Sequence, residues 1–122
     1  MRDHRKLRAF QLADELVLLT YKTTVNFPKS EQFGLTNQLR RAAVSIASNI
    51  VEGSARFSEP EYIRFLDMSY GSACEVEYQI SVAKRLGFIE ESQATGWESV
   101  AHETARTLSG LLRSLRRQSP EA

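Results

Sequence analysis

Apolar side chains recur every three or four residues along most of the chain, which is the spacing of one face of an α-helix. Proline and glycine interrupt this pattern at Pro28, Gly53 and Gly87. No stretch shows the alternation of β-branched residues that is typical of a half-buried strand. The pattern therefore predicts four helices, at about residues 7–27, 35–55, 59–86 and 93–118.

Four long helices with short connections place the chain in the all-α class. Such connections favour antiparallel neighbours, so we predict an up-down-up-down four-helix bundle. We expect one domain over residues 1–122, with frayed termini. Ser58 should cap the third helix, because Pro60 and Glu61 follow it in the first turn.

Two predicted helices carry more apolar surface than one bundle core requires. The second helix has apolar residues on an edge beside its inward stripe, and the third has a second stripe about a third of a turn from its first. Tolerated surface aromatics would explain the second stripe without any function. We favour a contact between copies of the chain. The residues predicted to form this homo-oligomer interface are Val44, Val51, Ile63, Tyr70, Cys74 and Tyr78.

Polar side chains of the second predicted helix fall together on an arc of about 80°. With two residues of the third helix they form a set that we call the polar ladder: Gln38, Arg41, Ser45, Asn49, Glu52, Arg56, Ser72 and Glu75. An arginine, a serine and a carboxylate on one face are compatible with acid–base catalysis. The same groups, paired with one another at a helix or subunit contact, would instead fix register. We favour this structural interpretation.

Length and composition fit a single domain with a hydrophobic core. The chain has 122 residues, of which 42% are hydrophobic. Neither a membrane-spanning run nor a secretory signal is recognisable. Cys74 is the single cysteine, which excludes an internal disulfide. We therefore expect a cytoplasmic protein without a membrane partner.

Charge is nearly balanced in total but unevenly distributed. Sixteen lysines and arginines against fifteen acids give a formal charge of +1. Bundle topology brings both termini to one end, where basic residues concentrate. Exposed arginines usually serve solubility alone, but this cluster also fits a nucleic-acid surface. The residues predicted to contact nucleic acid, at this end or in the opening of a ring, are Arg40, Arg106, Arg113, Arg116 and Arg117.

Motifs for metal, cofactor or catalytic chemistry are missing from the sequence. Two histidines, His4 and His102, are too few for a histidine-rich metal site. Glu98 precedes His102 by four residues, the spacing of an ordinary helix-surface pair. Neither a glycine-rich phosphate loop nor a nucleophile elbow occurs. We predict no enzymatic activity, metal or cofactor.

Order and spacing of residues between Phe27 and Glu75 resemble one known family. The residues are Phe27-Pro28, Glu31-Gln32-Phe33-Gly34-Leu35, Gln38-Leu39-Arg40-Arg41-Ala42, Ser45-Ile46, Asn49-Ile50, Glu52-Gly53, Arg56, Gly71-Ser72 and Glu75. They resemble the 23S rRNA-intervening-sequence proteins, also called four-helix-bundle proteins. The resemblance spans nearly the whole chain, although the fourth helix contributes only a generic leucine pattern.

The resemblance implies a small bacterial protein whose antiparallel bundle assembles into a ring, typically a pentamer. The family's activity is poorly defined. The family is similar to the accessory proteins of diversity-generating retroelements, basic bundles that bind nucleic acid and a reverse transcriptase, but this chain is nearly neutral. We expect a non-enzymatic scaffold or protein-interaction module with an unidentified protein partner. The alternative is an RNA-binding accessory protein.

Overall fold

The computed structural model describes residues 2–118, which fold into four α-helices and two short 3-10 helices. The α-helices are α1 (Arg8–Thr24), α2 (Leu35–Ser54), α3 (Glu59–Arg85) and α4 (Glu91–Gln118), and the 3-10 helices are His4–Lys6 and Lys29–Glu31. No strand occurs within this part of the chain. The all-α prediction is confirmed. The predicted fraying of the C-terminus falls on residues 119–122, outside the described residues.

Each α-helix packs against the next one, and α1 also packs against α4. The core therefore lies between all four helices and is built largely of leucine, isoleucine and alanine side chains. Within residues 2–118, no helix is long and apolar enough to cross a membrane.

An aromatic cluster fills the core where α1 turns toward α2. α1 ends at Thr24, three residues before its predicted end, and the turn that follows buries Phe27. The Phe27 ring lies 5.7 Å from that of Phe88 and 6.1 Å from that of Trp97, measured between centroids. Proline disfavours helical backbone at the residue before it, so Pro28 favours the end of α1 before this point.

α2 and α3 approach each other closely. The Ser69 hydroxyl donates a 2.7 Å hydrogen bond to the carbonyl of Ile46, and Ser69 is fully buried. Near the end of α2, a Cβ atom on Gly53 would lie 2.8 Å from the Cβ of Phe65. Small residues at both places let the two backbones come together.

The N-terminal segment contacts the bundle. The backbone N–H of Arg2 donates to the carbonyl of Ser54 at 3.1 Å. The Arg2 guanidinium forms an ion pair with Glu59 and lies 3.9 Å above the centre of the Tyr62 ring. Stacking and pairing together place this segment beside the connection between α2 and α3.

Candidate functional site

The middle of the polar ladder joins α2 to α3. The hydroxyls of Ser45 and Ser72 lie 2.9 Å apart across the helix contact. The side-chain amide of Asn49 donates to the Ser45 carbonyl at 2.9 Å and to its hydroxyl at 3.1 Å. These three half-buried groups satisfy one another, which is the arrangement that the structural interpretation of the ladder requires.

The charged members of the ladder do not pair between α2 and α3 within residues 2–118, so the predicted pairing at a subunit contact stays a prediction. Glu52 pairs at 2.9 Å with Arg56, one turn away on the same helix, and both side chains are more than two-fifths exposed. Arg41 is exposed and makes no ion pair among residues 2–118. Glu75 accepts a 3.0 Å hydrogen bond from the amide of Gln79. No arginine–carboxylate fork therefore links α2 to α3 within the described chain.

An open cleft of about 380 Å³ follows the same part of the ladder. Its lining consists of Asn37, Gln38, Arg41, Ala42, Ser45, Ser72 and Glu75. The two serine hydroxyls bond to each other rather than to a general base, so neither is an activated nucleophile. The cleft offers polar contacts without catalytic geometry.

The second stripe of α3 divides between core and surface. Ile63, predicted for the oligomer interface, is 6% exposed and packs within the core of its own chain, because it lies on the side of α3 that other helices of the bundle cover. Tyr70 is half-buried, and the neighbouring Cys74 thiol raises the pKa of its hydroxyl. Cys74 and Tyr78 are exposed. The outer part of the stripe is therefore Cys74 and Tyr78.

Exposed apolar side chains lie on α1, at its C-cap and on α2, and we call them the apolar face: Leu18, Tyr21, Val25, Val44 and Val51. Val44 and Val51 were predicted as interface residues, whereas Leu18, Tyr21 and Val25 were not. Their spacing of three and four residues was the available signal. Arg40 connects the two helices, because its guanidinium lies 4.6 Å from the Tyr21 ring and donates to the Thr24 hydroxyl.

Within residues 2–118, five arginines pair with all the acids at the end of the molecule that holds the N-terminal segment. We define this basic end as residues 2–8, 52–67 and 113–118. The ion pairs are Arg2–Glu59, Arg5–Asp3, Arg56–Glu52, Arg64–Glu61 and Arg116–Asp67. The hydrogen bond from Arg5 lowers the pKa of the Asp3 carboxyl. Four cations remain without an ion pair among the described residues, and they are Lys6, Arg8, Arg113 and Arg117.

Three of the five arginines predicted to contact nucleic acid form hydrogen bonds or ion pairs with other residues of the chain. Arg40 is half-buried against α1. Arg106 pairs with Glu103 at 3.3 Å, and Arg116 pairs with Asp67. Arg113 and Arg117 are exposed and stay available.

His102 contacts a residue other than Glu98, the neighbour that helical spacing predicted. Its Nδ1 lies 3.1 Å from a carboxylate oxygen of Glu77 on α3, while Glu98 accepts two hydrogen bonds from Lys84. Residues 2–118 contain no group of three histidine, cysteine or acidic side chains that is suited to a metal ion.

Phe57 is an exposed aromatic residue that the sequence analysis did not single out. It lies in the connection between α2 and α3, within the basic end, and is 92% exposed. The signal in the sequence was an aromatic residue among turn-forming and charged neighbours, Arg56 and Ser58.

Comparison with known proteins identifies a family and a shared fold. The family model described as 23S rRNA-intervening sequence protein matches residues 5–110. Among solved structures, a protein of unknown function from the S23 ribosomal protein family of Bacteroides thetaiotaomicron VPI-5482 is similar, with a TM-score of 0.76. It is 23% identical, and the alignment covers 85% of this chain and 97% of that one. Comparison with curated proteins gives no match.

Proposed function

The chain belongs to the 23S rRNA-intervening sequence protein family, and on this premise we propose that it is a non-enzymatic, homo-oligomeric scaffold or protein-interaction module. Its four helices run antiparallel, up-down-up-down, and copies of the bundle close into a ring. Short connections at residues 55–58 and 86–90 support the antiparallel arrangement. So does the packing of α1 against both α2 and α4.

The apolar face is the observation that carries this proposal. Leu18 is 60% exposed and Val25 71%, on the side of α1 opposite the buried Leu12 and Leu16. Large apolar side chains gathered on one surface mark a contact with another protein surface. Since a ring needs two different surfaces on each copy, we pair the apolar face of one copy with Cys74 and Tyr78 of the next.

The absence of an activated group in the cleft supports a non-enzymatic role. Catalysis would need a nucleophile next to a base, or a base beside a stabilising donor. In the cleft the hydroxyls of Ser45 and Ser72 contact each other, and the carboxylate of Glu75 is held by Gln79. The serine contact joins α2 to α3, the Glu75 contact lies within α3, and neither leaves an activated group for turnover.

Light scattering on purified protein tests the assembly. The mass should be several times 13.8 kDa. Leu18→Glu should lower it, because a buried and unpaired carboxylate opposes association. Leu86→Glu is the matched control, since Leu86 is also 60% exposed but lies at the end of α3, outside both proposed surfaces. A monodisperse wild-type monomer would refute the proposal.

Nucleic-acid binding at the basic end is a second candidate function. The specific observation is that, among residues 2–118, every acid there is already paired, while Lys6, Arg8, Arg113 and Arg117 have no ion pair. Cations without a partner inside the protein attract phosphates and release counterions, so binding should weaken steeply with salt. Arg113→Glu should weaken this binding and make it less dependent on salt, whereas Arg85→Glu, which changes an exposed arginine at the end of α3, should not.

A further inference from the structure

Phe57 points outward from a connection that hydrogen bonds hold in place on both sides. On one side of it, the N–H groups of Ala55 and Arg56 donate to the carbonyls of Glu52 and Gly53, both at 3.1 Å. On the other side, the Ser58 hydroxyl caps α3 by accepting a 3.2 Å hydrogen bond from the backbone N–H of Glu61. With both flanks fixed, the exposed ring occupies a defined place on the surface.

The surroundings of Phe57 are basic rather than apolar. The arginine before it is held by Glu52 and lies over the Phe65 ring, with 5.0 Å between the guanidinium carbon and the ring centre. The N-terminal segment, which carries Lys6 and Arg8, reaches the same connection through the Arg2 contacts to Ser54 and Glu59. Among the described residues of the basic end, Phe57 is the only large exposed hydrophobic side chain.

We infer that the basic end binds single-stranded nucleic acid, with Phe57 as the platform on which one base stacks. The cations Lys6, Arg8, Arg113 and Arg117 contact the phosphates on either side. This inference rests on the nucleic-acid function proposed above and adds which form of nucleic acid is bound.

A lone aromatic ring among cations favours a single strand over the alternatives. In a duplex, each base already stacks on its neighbours, so a ring on the protein surface cannot reach a base face unless the base is extruded. An unpaired strand offers its base faces freely. A protein partner would instead require several apolar side chains around Phe57, since the centres of protein interfaces are apolar.

Fluorescence anisotropy with the intact oligomer tests the inference. The probes are a labelled, unstructured pyrimidine RNA of about 20 nucleotides and a blunt duplex of the same sequence. The wild type should bind the single strand more tightly. Phe57→Ala should weaken single-strand binding about five-fold or more, the loss expected for one stacked base, and should leave duplex binding unchanged. Phe57→Trp should retain tight binding, because an indole also stacks.

Phe33→Ala provides the matched control, because Phe33 is 88% exposed in the connection before α2, away from the basic end. It should leave both affinities unchanged. If the wild type binds neither probe, the nucleic-acid function itself is refuted. If the wild type binds but Phe57→Ala does so equally well, only the stacking inference is overturned. A fall in oligomer mass for Phe57→Ala would also overturn the stacking inference, because it would place the Phe57 side chain between copies of the chain.

Discussion

The indole N–H of Trp97 on α4 donates a 3.0 Å hydrogen bond to the hydroxyl of Thr20 on α1, and both residues are almost fully buried. This bond joins two helices that are separated by most of the chain. A buried indole N–H requires such a partner, because water cannot replace it in the core. The contact therefore fixes the packing of α4 on α1 at the level of the aromatic cluster.

Thr20→Val should destabilise the protein by about 1–3 kcal/mol, because the indole N–H of Trp97 loses its partner while the volume at position 20 hardly changes. The free energy of unfolding, measured with urea at fixed protein concentration, checks this. Thr104→Val is the control, since the buried Thr104 hydroxyl bonds only to the Val100 carbonyl of its own helix, at 2.7 Å. An equal loss in both variants would contradict the assigned role of the Trp97 bond.

Two helical glycines should respond to alanine in opposite directions. Gly53→Ala should cost about 1–3 kcal/mol, because the new methyl group would lie 2.8 Å from the Cβ of Phe65 and force α2 and α3 apart. Gly71→Ala should stabilise α3 by about 0.5–1 kcal/mol, since a Cβ there meets no atom within 4 Å. Thermal unfolding of the two variants compares them directly, and stabilisation by Gly53→Ala would show that the helices are less closely packed.

Within the polar ladder, Ser72→Ala should cost more stability than Glu52→Ala. Removing the Ser72 hydroxyl deprives Ser45 of a half-buried partner, which costs about 1 kcal/mol. Removing the Glu52 carboxylate breaks a surface pair within one helix, worth about 0.5 kcal/mol or less. Urea unfolding at one protein concentration ranks the two. The reverse order would place Glu52 in a buried contact between subunits.

Stability should fall as the pH rises above about 10, and Tyr62 should account for part of the loss. Burial raises the pKa of Tyr62; the charge of Arg2 opposes this shift and Glu59 adds to it. The unfolded chain therefore releases this proton at a lower pH than the folded chain, so rising pH favours unfolding. Tyr62→Phe should show a smaller loss of unfolding free energy between about pH 8 and about pH 11.

Local patterns in the sequence were sufficient to predict the helices and much of the core. Apolar residues at helical spacing identify a buried face such as Leu39, Ala43 and Ile46, because a helix turns by a fixed angle per residue. The cap at Ser58 follows from its neighbours alone, and its hydroxyl accepts the expected hydrogen bond from the N–H of Glu61.

The tertiary structure was needed to identify which side chains pair between helices. His102 has Glu98 within reach on its own helix and Glu77 within reach on α3, and helical spacing alone favours the nearer residue in sequence. Lys84 donates to the carboxylate of Glu98, and His102 instead contacts Glu77. Such choices depend on how two helices are rotated against each other, and that rotation is set by packing of the whole core.

The predicted surfaces differ from the observed ones for the same reason, which is that core packing sets the rotation of each helix. Ile63 lies on a second stripe of α3, and the sequence could not tell whether a neighbouring helix or another copy of the chain covers it, since both would select an apolar residue. Periodicity determined which residues share a face of a helix. Only the three-dimensional packing decided which faces the chain buries within itself, and so left the apolar face and Phe57 exposed.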